Sequence, residues 1–291
     1  MQPQECDVYD KLNETILSVS LSAPKPGVFL DSVKYVLVLA TAVEVVLLAV
    51  SWDKLGNTLK LIPTAYTVPT DNIIMVKVIG SQVGRIFMGG SNGNLYELDY
   101  KSQESPWARV FGTGQTHKCQ KINHSAWNWK FVHIVPPFLQ TILDVTDSLV
   151  DLSIDNMRNV LYSISKKGTI CAFYLGMDSK SISLPIVREM LLFDEIQKFL
   201  SYQIPPESSP QASIFRDIKT MSIDSAHIVP LTESRKIHLV IILNNGIRIY
   251  LRLISNDRLP YSPGYGMAGN SSPVGLEIVY VRNPPSPDAI R

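Results

Sequence analysis

The run Gly84–Tyr100 places large apolar and aromatic residues on both sides of Asn92-Gly93, and the same arrangement returns twice. Asn159–Ile164 leads through Lys167-Gly168 into Thr169–Leu175, and His238–Leu243 leads through Asn245-Gly246 into Ile247–Leu251. Glycine takes a positive φ at little steric cost, so each run reads as two antiparallel strands joined by a two-residue turn. Three hairpins of one design predict a repeated β unit. Alternating segments ahead of the second and third hairpins, Leu149–Ile154 and Asp217–Asp224, add a strand to the repeat. The turn glycines lie 75 and 78 residues apart. A compact propeller blade needs only about 40–50 residues. Insertions are therefore expected between blades, at Ser102–Gly114, Gly176–Phe215 and Ser255–Pro273.

The amino-terminal third fits the same fold class. Glu14–Leu21 reads as a strand and Pro24-Lys25-Pro26-Gly27 as a turn, with further short strands at Leu59–Val68, Ile73–Ile79 and Lys118–His124. Val33–Trp52 is the most apolar segment and approaches the ~20 residues of a membrane-spanning helix. Lys34 and Glu44 interrupt it, valines dominate it, and Thr41-Ala42 sits near its middle, so two buried strands meeting at a tight turn fit better. One helix is expected, at about 185–201. Pro185 opens it, and Ile186, Met190, Phe193, Ile196 and Leu200 fall on one face. Its polar face is not rich in Lys and Arg, which favours packing on the rim of the sheets over lying on a membrane.

The charge balance excludes several function classes. Lys plus Arg number 27 against 26 Asp plus Glu, so nothing draws the surface strongly toward nucleic acid or anionic lipid. The three cysteines, Cys6, Cys119 and Cys171, are odd in number and widely spaced, which suits free thiols in a reducing compartment. Met1–Leu12 carries no apolar export segment, and the sequons at Asn13, Asn123 and Asn270 then read as chance matches.

Catalytic and ligand-binding patterns are also missing. Gly89–Gly93 lacks the Gly-Lys-Ser/Thr ending of a phosphate loop and is followed by a strand. His117, Cys119, His124 and His133 do not have the tight spacing of a zinc site. Trp127, Trp129 and Lys130 make no basic stripe with interleaved aromatics. The expectation is a chain with no catalytic residues, no cofactor, no metal, no direct nucleic-acid contact and no small-molecule substrate.

Several strings, in order, resemble the amino-terminal β-propeller of the nucleoporin 155/170 family of inner-ring scaffold proteins. Cys119-Gln120-Lys121-Ile122-Asn123-His124-Ser125 is similar to the family's Cys-x-Lys-Ile-Asn-His-Ser. Glu14–Leu17 with Pro24–Gly27, Tyr35–Thr41, Pro69–Asn72 running toward Gly84–Phe87, Ile154–Tyr162 and Gly246–Tyr250 add to it, from about Asp10 to Pro285.

The resemblance implies an all-β fold: a partial β-propeller of about four blades with long inter-blade insertions and one inserted amphipathic helix. The propeller would fill residues 1–283, with a mobile loop at about 255–273 and a linker or tail at 284–291. The match looks like the middle of such a propeller. The resemblance further implies a scaffold subunit of the nuclear pore complex at the nuclear envelope, with other inner-ring and linker nucleoporins as partners. A family loop associated with the pore membrane matches Leu55–Leu61 here in much shortened form. Trp52, Leu55 and Leu59 are the residues that would carry such contact, against a plain strand-to-strand turn. The alternatives are a propeller module of a vesicle-coat scaffold, without the Lys-Ile-Asn-His-Ser string, and a propeller hydrolase, for which no converging set of carboxylates or histidines can be assembled.

Overall fold

A computed structural model of the chain describes residues 14–53, 58–103, 116–125, 147–176, 186–188, 198–199, 221–255, 273 and 275–284. These form sixteen strands in four sheets, each an antiparallel meander of four sequential strands. Sheet 1 holds β1 (Ser18–Ser22), β2 (Val33–Ala40), β3 (Glu44–Asp53) and β4 (Thr58–Pro69). Sheet 2 holds β5 (Met75–Gly80), β6 (Ile86–Gly90), β7 (Leu95–Gln103) and β8 (Thr116–Asn123). Sheet 3 holds β9 (Leu149–Asp155), β10 (Val160–Ser165), β11 (Ile170–Tyr174) and β12 (Ile186–Arg188). Sheet 4 holds β13 (Ile223–Ile228), β14 (Leu239–Leu243), β15 (Arg248–Ile254) and β16 (Gly275–Arg282). Successive four-stranded meanders are the blades of a β-propeller.

The three glycine corners occupy one position in the repeat, the joint between the second and third strands of sheets 2, 3 and 4. Their loops have three residues rather than the two expected. Gly90 N–H donates to Asn94 O at 2.9 Å while Gly93 N–H donates to Gly90 O at 3.0 Å. Ser165/Thr169 with Gly168, and Leu243/Ile247 with Gly246, repeat that pair of bonds. Only the glycine takes a positive φ, 82°, 92° and 80° in turn. Asn92 and Asn245 serve otherwise, each accepting through Oδ1 the amide two residues on, at 3.2 Å. The equivalent corner in sheet 1 has no glycine. Thr41 Oγ1 accepts the amides of Val43 and Glu44 instead, which is why the apolar run 33–52 folds back on itself. No helix among the described residues is long and apolar enough to cross a membrane.

Two other expectations change. The helix at 185–201 does not begin where Pro185 would start it, because Ile186–Arg188 forms β12 on the edge of β11. Isoleucine and valine are stiff, strand-favouring side chains, and an open strand edge beside them overrides a helical spacing. Lys198 and Phe199 are helical, and the rest of that segment lies outside the described residues. The insertions do not all separate blades. Ser102–Gly114 and Ser255–Pro273 fall between the third and fourth strands of sheets 2 and 4, and Gly176–Phe215 contains β12. The loop at 255–273, apart from Ser255 and Pro273, and the tail beyond Pro284 lie outside the described residues. Of the strand expected at Asp217–Asp224, β13 takes Ile223 onward, Met221 and Ser222 are not strand, and 217–220 lie outside the described residues.

By its contacts the chain divides into two compact units, Met1–Leu152 and Ser153–Arg291. In the first, Val36, Val38, Val45 and Leu47 of sheet 1 form one core with Met75, Ile86, Met88 and Leu98 of sheet 2. In the second, Val160, Tyr162 and Ile164 share a core with Leu239, Ile241, Ile249 and Leu251. Strand alternation sends these residues to one face of each sheet.

Candidate functional site

The string 119–125 closes sheet 2, and its side chains are occupied in doing so. Ser125 Oγ accepts Leu95 N–H at 2.9 Å, and Asn123 Oδ1 accepts Ser125 N–H at 2.9 Å. His124 Nε2 lies 2.8 Å from Glu97 Oε2. The same carboxylate takes two bonds from Arg85, Nε at 2.7 Å and Nη2 at 2.9 Å. Burial works against the charge on Glu97, yet the bonds from Arg85 and His124 hold its carboxyl below the usual range. Lys121 Nζ donates to Thr70 O at 2.9 Å, pairs with Asp71 at 2.8 Å and stands over the Tyr96 ring at 5.2 Å. It thereby fastens β8 to the turn after β4, where Asp71 and Asn72 both carry positive φ. Cys119 packs against the apolar core, and burial, with the Asp99 charge behind it, pushes its thiol up to about 11. A thiol so raised is a poor nucleophile and a poor metal ligand at neutral pH.

A second latch runs from the loop after β1. Tyr100, fully buried, donates from its hydroxyl to Gly84 O at 2.7 Å and accepts Lys25 N–H at 3.0 Å. Lys25 Nζ lies 3.3 Å from Asp99 and over the Tyr100 ring. Phe29, Tyr66 and Tyr100 pack ring to ring at 5.4 to 6.1 Å. The second compact unit has a counterpart. Asp155 Oδ1 accepts the amides of Met157 and Arg158, and the buried Arg158 guanidinium donates to Val229 O at 2.8 Å and Ser234 O at 2.6 Å. His238 accepts Leu253 N–H on Nδ1 at 2.9 Å. Burial, followed by the positive charge of Arg158, pushes it down to about 4.

Among the described residues no group of three or more His, Cys, Asp and Glu could hold a metal ion. Of the three expected membrane-contact residues, Trp52 and Leu59 are cross-strand partners at the turn end of the β3–β4 hairpin. They are 44% and 56% exposed. Leu55 lies outside the described residues. What remains available to a partner is therefore sheet faces, strand edges and hairpin tips.

Compared with known proteins, residues 2–287 match the family model described as Nup133 N terminal like. The chain belongs to that family of nucleoporin amino-terminal domains. Nuclear pore complex protein Nup154 of Drosophila melanogaster is 32% identical over 98% of this chain, and nucleoporin NUP170 of Chaetomium thermophilum is 31% identical over 97%. The chain spans only 21% and 19% of the length of these relatives. The crystal structure of the Chaetomium thermophilum Nup170 NTD-Nup53 complex matches 95% of this nucleoporin domain and 34% of its own chain, with a TM-score of 0.70 at 27% identity. The fold is thus an all-β partial propeller of four blades.

Sequence reasoning picked out the string 119–125 but missed Arg85 and Glu97, to which His124 is tied. A charged residue set inside an otherwise buried strand pattern was the available signal, since such residues are almost never buried without a partner. Arg158 and His238 were missed for the same reason, each standing beside an apolar run that drew attention away from it.

Proposed function

We propose that this chain is a non-catalytic structural module of the nuclear pore complex, placed in its inner ring at the nuclear envelope, where it docks segments of other nucleoporins. The observation that carries this reading is the fit of nearly the whole chain to a Nup170 amino-terminal domain seen together with Nup53. The molecule suits the role physically. Its conspicuous polar residues, Arg85, Glu97, His124 and Arg158, are consumed in fixing loops and sheets, which leaves sheet faces and strand edges to extended peptides. Tagging the endogenous protein, with imaging and affinity capture, tests it. A punctate nuclear-rim signal with co-captured inner-ring nucleoporins is expected, whereas a diffuse signal or capture of vesicle-coat subunits overturns it.

A second reading concerns the pore membrane. The exposed Trp52–Leu59 pair at a hairpin end has the amphipathic chemistry of an interfacial anchor, and Leu55 falls between the two in sequence. Flotation with liposomes should weaken for Trp52→Asp/Leu55→Asp/Leu59→Asp. Equal flotation of variant and wild type ends this reading and leaves the hairpin as a plain turn.

A further inference from the structure

Sheet 4 turns Leu239, Ile241, Ile249 and Leu251 into its core, and its opposite face carries a ladder of a different kind. Across β15 and β16, Arg248 stands opposite Arg282, Tyr250 opposite Tyr280, and Arg252 opposite Glu277. The tyrosine rings stack, with centroids 4.2 Å apart and planes at 16°. Arg252 is bonded to Glu277. Arg282 lies over the Tyr280 ring at 5.5 Å. Among the described residues no carboxylate pairs with Arg248 or Arg282. Like charges set directly opposite on a sheet are destabilising, so folding alone does not account for this pair. Flanking the tyrosines on the neighbouring strand are Val240 and Ile242, both half-buried.

The geometry points to this face of sheet 4 as a docking surface for an extended acidic segment of a partner protein. One of its carboxylates would lie between Arg248 and Arg282, and an aromatic or branched apolar side chain would lie on the Tyr250–Tyr280 platform. Charge complementarity selects the occupant, since among the described residues of β15 and β16 three guanidinium groups share this face with one carboxylate, Glu277. Guanidinium pairs bind carboxylates through two parallel bonds, and tyrosine and arginine are the residues that dominate interface energetics. A nucleic acid is disfavoured because the chain as a whole is nearly neutral, at +1, and lacks the extended basic field that phosphate backbones require. The inference rests on the docking role proposed above and names one surface for it.

The test uses the purified full chain and two short labelled peptides, one alternating Glu with Phe and Thr and the other with Lys in place of Glu. The acidic peptide should bind and weaken as salt rises, and the basic one should not. Arg248→Gln/Arg282→Gln should lower acidic-peptide affinity at least tenfold while the thermal midpoint is kept, and Arg248→Lys/Arg282→Lys should restore part of it. A change in the near-ultraviolet dichroism of the stacked tyrosines on binding, measured on the wild type, serves as a readout that needs no variant. Equal binding of the two peptides, no binding of either, preferential binding of a single-stranded oligonucleotide, or undiminished binding to the glutamine variant overturns the inference. Loss of nuclear-rim signal would count against the docking role itself, whereas rim signal retained alongside failed peptide binding removes only this surface.

Discussion

Arg85 grips Glu97 through two parallel bonds of 2.7 and 2.9 Å, with the arginine side chain 3% and the glutamate 10% exposed. Removing one member of a buried pair strands the other charge, at a cost of about 3–5 kcal/mol. Glu97→Gln should therefore lower stability by about that amount in urea unfolding, and Arg85→Met/Glu97→Met by less than Glu97→Gln alone. The stabilising effect of this carboxylate is present above its ordinary pKa of 4.5 and is lost as pH falls through its depressed folded value. A double variant as unstable as the single would show that the apolar surroundings, not the stranded charge, set the cost.

His238 gives a separate acid sensitivity. In the folded chain its ring takes up a proton only near pH 4, against 6.5 ordinarily. As pH falls through that interval the unfolded chain gains the proton first, so stability declines, by at most on the order of 3 kcal/mol. Above pH 6.5 the ring contributes no slope. Urea midpoints measured between pH 7 and pH 4.5 should fall for the wild type and stay flatter for His238→Gln, the upper part of the window lying clear of Glu97. Parallel slopes would mean that His238 is not the group titrating.

What could be read in the sequence follows from the range over which each signal acts. The glycine corners are local: Gly93, Gly168 and Gly246 sit where the pattern put them, and the period-two alternation around them gave the strands. The three-residue loop was not legible, because the distinction lies in whether Asn92 or only Gly93 takes a positive φ, and asparagine tolerates either. The expected helix does not reach back to Ile186–Arg188, because periodicity carries no information about the free edge of β11 that claims these residues, while Lys198 and Phe199 are helical. The residues fixing the sheets to their loops were least legible. Arg158 and Ser234 are 76 positions apart, and only the fold brings them together. Trp52 and Leu59 were singled out through the family loop they resemble, and their pairing across β3 and β4 became visible only in the register.

Gly27 and Gly84 separate conformational strain from crowding. Both have positive φ, 75° and 80°. A Cβ added at Gly27 would meet nothing within 4 Å, whereas one at Gly84 would lie 2.4 Å from the backbone nitrogen of Lys25. Gly27→Ala should cost only the left-handed penalty of about 1–2 kcal/mol. Gly84→Ala should cost clearly more and detach the Lys25 loop, seen as faster hydrogen exchange at the Lys25 amide. Equal losses from the two substitutions would show that the close approach carries no energy.

Tyr100 offers the finest test, because the change is one oxygen atom. Its hydroxyl, fully buried with the ring, is the donor to Gly84 O and the acceptor for Lys25 N–H. Tyr100→Phe keeps the ring packing on Phe29 and Tyr66 but leaves a buried carbonyl and a partly buried amide without their bond, at about 1–3 kcal/mol. Tyr96→Phe makes the matching control. That hydroxyl accepts from the side-chain amides of Asn92 and Asn94 at 2.8 and 3.3 Å, which are only partly buried, so water can replace it at about 0.5–1 kcal/mol. Faster hydrogen exchange at the Lys25 amide should accompany Tyr100→Phe and not Tyr96→Phe. If the two substitutions cost the same and the Lys25 amide keeps its protection in both, the loop is held by the Lys25–Asp99 pair and the apolar packing of Phe29 instead.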